Sequence, residues 1–127
     1  MGIVDTKPTV PVAFPESLNH RLTEARHTLQ QHASRVLDGD ALSALHFVST
    51  IVEAAVRAQV FGQVYKACQT NTNTNPVTAR EGMRAYAEGR VRALASRGAV
   101  KSTNPLDAAI HAEELSAWYD VEEAFRS

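Results

Sequence analysis

One cysteine, Cys68, in 127 residues excludes an internal disulfide, so the chain is expected to fold in a reducing, intracellular setting. Catalytic signatures are missing too. There is no Gly-rich phosphate loop, no Ser-His-Asp or Cys-His arrangement and no carboxylate cluster in an apolar stretch, so the expectation is a protein that is not an enzyme and carries no cofactor. Aromatic residues make up 6 % of the chain, too few to interleave with its arginines as a stacking platform for bases. A formal net charge of −1 gives no global attraction to polyanions. The N-terminus lacks the basic, apolar and small-residue sections of a secretory signal, which again points to the cytoplasm.

What the chain does contain is helical periodicity. Residues 41–68 hold no proline, one glycine (Gly62) and three charges, Glu53, Arg57 and Lys66. Apolar residues recur at Leu45, Val48, Val52 and Ala55, and on a second stripe at Phe47, Ile51, Ala58, Phe61, Tyr65 and Cys68, both with three-four spacing. Two stripes imply two covered faces. The pattern predicts one long, largely buried central helix, opened by Asp40 as a cap after an Asp38-Gly39 turn. Ser49, Glu53, Arg57, Gln59 and Gln63 make it too polar for a membrane span, and Glu53 and Arg57 stand four apart, in the order that favours an ion pair on a helix.

Upstream, Pro8 and Pro11 interrupt any helical period, and residues 1–14 are predicted to form an extended arm. Gly2 with Thr6 fits the loose pattern for N-myristoylation. Pro15 suits a first helical position, and the helix it opens runs to Leu37 with Leu18, Leu22, Ala25, Leu29, Ala33 and Val36 inward and His32 beside them. Glu24 and His27 have the Glu-x-x-His spacing of helical metal sites. A dimetal centre needs a second such pair and two further glutamates; with no second pair, a metal-enzyme reading resting on Glu24, His27 and Glu53 ranks last. Arg21 and His27 resemble the Arg–His pair of small helical ribonucleases from toxin systems in spacing, but those enzymes need the pair at a shared cleft with polar company, and here both sit early in a helix whose polar ridge reads as exposed.

Downstream, the polar tract at 69–75 has too few apolar residues to pack and is a loop. Asn75-Pro76 and a capping box from Thr78 to Glu81 both signal a helix start, and Gly98 suits its end. Met83, Ala87, Val91 and Leu94 face inward with Tyr86 alongside, and Gly82 and Gly89 suggest close approach of another helix. Arg80, Arg84, Arg90, Arg92, Arg97 and Lys101 form a basic segment that could follow phosphates. Asn104-Pro105 repeats the start signal, and the last helix carries Ile110, Ala117, Val121 and Ala124 inward, Leu115, Trp118 and Phe125 beside them, and an acidic outer face from Glu113 to Glu123.

The reading is an all-α, four-helix bundle-like domain over residues 15–127, with one long central helix and an extended arm at 1–14. The expected function is that of a non-catalytic structural or adaptor subunit acting through protein partners, as a homo-oligomer or within a larger assembly, with no membrane span. Ile51, Phe61, Tyr65, Trp118 and Phe125 are the expected partner contacts. The alternative is a small nucleic-acid-binding subunit using the arginine-rich third helix.

Overall fold

The computed structural model describes residues 12–71, 75–97 and 104–126. Helices follow in the order α1 (Glu16–Leu37), α2 (Ala41–Ala44), α3 (Val48–Gln69), α4 (Pro76–Arg97) and α5 (Pro105–Arg126), with a 3-10 turn at Leu45–Phe47 between α2 and α3. No strand occurs among the described residues, and the four long helices form the all-α bundle that the periodicity predicts. Residues 1–11 with the Gly2 pattern, and also Gly98 and Lys101, lie outside the described residues.

Local chemistry sets the boundaries. α1 closes in a Schellman motif: the Asp40 amide donates to the Arg35 carbonyl (2.9 Å) and the Gly39 amide to that of Val36 (3.3 Å). Gly39 sits at φ +93°, a left-handed conformation that a side chain would strain. The Asn75 side-chain oxygen accepts from the Val77 and Thr78 amides (3.0 and 3.4 Å), and that of Asn104 accepts from Leu106 (3.0 Å). Each Asn-Pro pair is therefore a working N-cap with proline in the first turn. α4 starts there, not at the Thr78 box two residues on.

The central helix departs from expectation. Its first turn is the separate α2, and Phe47 leaves helical geometry at φ −115°, ψ 23°, so α3 begins at Val48 and its 22 residues match α1, α4 and α5 in length. The departure turns Phe47 back onto α1, where its ring lies 5.2 Å from that of His32 and 5.4 Å from the Arg35 guanidinium. Asp40 holds the N-cap position of α2 but makes no side-chain capping bond.

α5 is the hub of the packing. It contacts α3, α4 and the edge of α1, while α4 rests mainly on α5 and α1 mainly on α3. Loop length predicts that α3 and α4 are neighbours; instead the broad apolar face of α5, with Ala117, Trp118, Val121 and Phe125 buried, lies between them. The core joins Leu18 and Leu22 of α1, Val60, Phe61, Val64 and Cys68 of α3, Met83, Ala87, Val91 and Leu94 of α4, and these α5 residues. Near the C-terminal end of α3 the arm arrives: the Val12 amide donates to the Cys68 carbonyl (3.2 Å) and Phe14 meets Tyr65 edge-on at 5.3 Å. Contact of His32 with Phe47 at the opposite end makes α1 and α3 antiparallel.

Gly82 and Gly89 have open space where a side chain would stand, so no helix approaches them closely and that expectation fails. Glu122, expected on the acidic outer face, is buried and paired with Arg126.

Candidate functional site

Large apolar side chains stand exposed where α1 ends and α3 begins. Leu37 is 85 % exposed, Leu42 78 % and Leu45 67 %, and Val36, Phe47 and Val48 are also open. All six belong to the end of α1, to α2, to the 3-10 turn or to the first residue of α3. Of the most apolar window within Ala41–Gln69 only 17 % is buried, which overturns the expectation of a largely buried central helix. α4 leans on α5 and hardly touches α3.

This open end continues into a trough of about 320 Å³. Ile51, Val52, Ala55 and Val56 of α3 form one wall, and Leu106, Ile110 and Trp118 of α5 line it too. Gln59 and Gln63 of α3, Arg90 of α4 and Glu114 of α5 supply its polar groups. The Arg90 guanidinium lies over the Trp118 ring at 5.6 Å, and Tyr86 meets the same ring edge-on.

Of the five expected partner contacts, Phe61, Trp118 and Phe125 are buried in the core of this chain, because α5 inserts its apolar face beside α3. They hold the fold together and are not available at its surface. Ile51 lines the trough and is half-buried; Tyr65 is exposed and packs on Phe14. Periodicity does not single out Leu37, Leu42 or Leu106. Leu37 and Leu42 flank the Asp38-Gly39-Asp40 turn, and large apolar residues on both sides of an exposed turn are the signal that marks them.

The basic segment does not form an open cationic track. Arg84 and Arg92 both pair with Glu88 on their own helix (3.5 and 2.7 Å). Arg80 donates to the Ala124 carbonyl (3.1 Å) in the last turn of α5 and lies over Phe125, while Arg90 lies over Trp118. Arg97 is exposed at the end of α4.

Glu24 and Glu53 do line one small polar cleft between α1 and α3, together with Arg21 and Arg57. Arg57 pairs with Glu53 (3.0 Å), Arg21 with Asp120 of α5 (2.5 Å) and His20 with Glu24 (3.2 Å). His27 lines a different surface hollow with Gln30, Gln31 and Arg35, so neither the Glu24–His27–Glu53 set nor the Arg21–His27 pair is assembled. Among the described residues no group of three or more metal-ligating side chains occurs. The Cys68 thiol is buried, and burial pushes its pKa up to about 11, the opposite of what a nucleophile needs.

No protein-family model matches the chain, and no curated protein or solved structure matches it. Taken as one run, Ala41–Gln69 is long and apolar enough to cross a membrane by length and composition, a test that core helices of soluble proteins also pass.

Proposed function

We propose that this protein is a non-catalytic structural or adaptor subunit that works by helix-mediated association with further copies of itself, through the open apolar end around α2. The single observation that supports this reading is the gathering of Leu37, Leu42 and Leu45, each more than two-thirds exposed, at one end of the bundle, with Val36, Phe47 and Val48 partly exposed beside them. Apolar residues scattered singly over a surface need no explanation, but a contiguous group does, because each large side chain taken out of water contributes about 1.5–3 kcal/mol. The cationic alternative has weaker support, since four of its arginines are engaged within the fold.

The test is absolute mass by light scattering during gel filtration, over a concentration series at low and high salt, with the absorbance ratio recorded. An oligomer that persists in high salt with clean protein absorbance is expected. The double substitution Leu42→Asp with Leu45→Asp should reduce it to monomer while the melting temperature stays near that of the parent, because both side chains are exposed. Phe61→Asp is unsuitable here: Phe61 is fully buried, and its loss would unfold the core. A wild-type monomer at every concentration that sheds nucleic acid as salt rises would reverse the assignment in favour of the arginines of α4.

A further inference from the structure

We infer that the trough between α3 and α5 binds a small zwitterion with an apolar body, of the class of the large apolar α-amino acids, whose carboxylate pairs with Arg90 and whose ammonium pairs with Glu114. The recess has the make-up of a small-molecule site. Its volume of about 320 Å³ lies at the lower end of the range for such sites, and its lining is mainly apolar with a few polar groups. On α5, Leu106 and Ile110 lead at four-residue intervals to Glu114, so one row of the wall passes from apolar to charged. On α3, Ile51 and Ala55 lead to Gln59 at the same interval. A molecule apolar at one end and polar at the other matches both rows.

The two charges set the ligand class. Arg90 lies over the Trp118 ring at 5.6 Å, and Glu114 precedes Trp118 by one helical turn, so opposite charges are placed about the same ring. They do not pair with each other, and among the described residues neither meets another group of opposite charge. A guanidinium stacked on an aromatic ring keeps N–H donors for a carboxylate, which it can hold in bidentate fashion. An anion alone would be repelled by Glu114 and a cation alone by Arg90; a zwitterion satisfies both at once. Its apolar body, laid against Ile51 and Ile110, would also exclude water and strengthen the two ion pairs.

Trp118 is the single tryptophan of the chain, so its emission reports on the trough. Titration of the full chain with L-phenylalanine should change that emission to saturation. N-acetyl-L-phenylalanine, which lacks the ammonium, and L-phenylalaninamide with its amine protonated, which lacks the carboxylate, should each bind about tenfold more weakly. Glycine, with both charges and no apolar body, should leave the emission unchanged. Arg90→Gln should bind the amide as well as it binds L-phenylalanine, and Glu114→Gln should do the same with the acetyl compound. Both variants should melt near the parent temperature, since both side chains are partly exposed. The Leu42→Asp/Leu45→Asp variant should bind as the parent does, because neither side chain lines the trough; the site therefore stands or falls separately from self-association. No saturable change with L-phenylalanine or L-leucine at millimolar concentration overturns the site. Equal binding of L-phenylalanine, its amide and its acetyl derivative by the parent overturns the zwitterion assignment.

Discussion

His32 and Cys68 show how little of a side chain's setting can be read from its type. By type and position His32 is a polar neighbour of the α1 stripe, yet it is buried, and its Nδ1 is the one buried side-chain polar atom among the described residues with no hydrogen-bond partner. An unmatched polar atom forfeits its hydration without compensation. His32→Leu should therefore raise stability by about 1–2 kcal/mol in urea unfolding, unless contact with Phe47 outweighs that gain. A lower midpoint would assign His32 to holding the 3-10 turn. Cys68 is a small core residue whose thiol stays protonated; burial raises its pKa from 9.0 to about 11. The thiol of the unfolded chain ionises first, so this contribution is intact below pH 9 and is lost between about pH 9 and 11, at a slope of roughly 1.4 kcal/mol per pH unit. Unfolding midpoints should fall across that window in the parent and less in Cys68→Ala, after each is referred to its own value at pH 8.

At the scale of elements, start and stop chemistry was legible because it is local. The Asn-Pro pairs and the Asp38-Gly39 turn act through atoms within a few residues, so the ends of α1, α4 and α5 followed from the sequence. The break at Phe47 did not. It arises where an aromatic ring finds a surface on α1, a contact between residues fifteen apart that no window of periodicity contains. Gly82 and Gly89 suggest close packing, but open space surrounds both. With no approach to protect, Gly82→Ala and Gly89→Ala should each stabilise the protein by about 1 kcal/mol through helix propensity alone, measurable as a higher thermal midpoint. A loss in either variant would mean that a partner occupies that face in solution.

For the whole molecule, the consequence that matters is where apolar surface remains. If association buries the α2 end, assembly should persist or strengthen between 0.1 and 1 M sodium chloride, at roughly 10 and 3 Å Debye length, because apolar contact is not screened. An assembly that dissociates over that range would be held by charge pairs and not by the apolar end. The sequence by itself determined the helices, most of their ends, the inward stripes of α4 and α5 and the absence of a disulfide, since periodicity and capping are properties of neighbours along the chain. Only the tertiary structure decided that α5 lies between α3 and α4. That choice turned Phe61, Trp118 and Phe125 inward and left Leu42, Leu45 and Val48 outside. A stripe records that a helix has an apolar face; which neighbour covers it depends on helices brought together from distant parts of the chain, where the sum of buried area decides and no local pattern does.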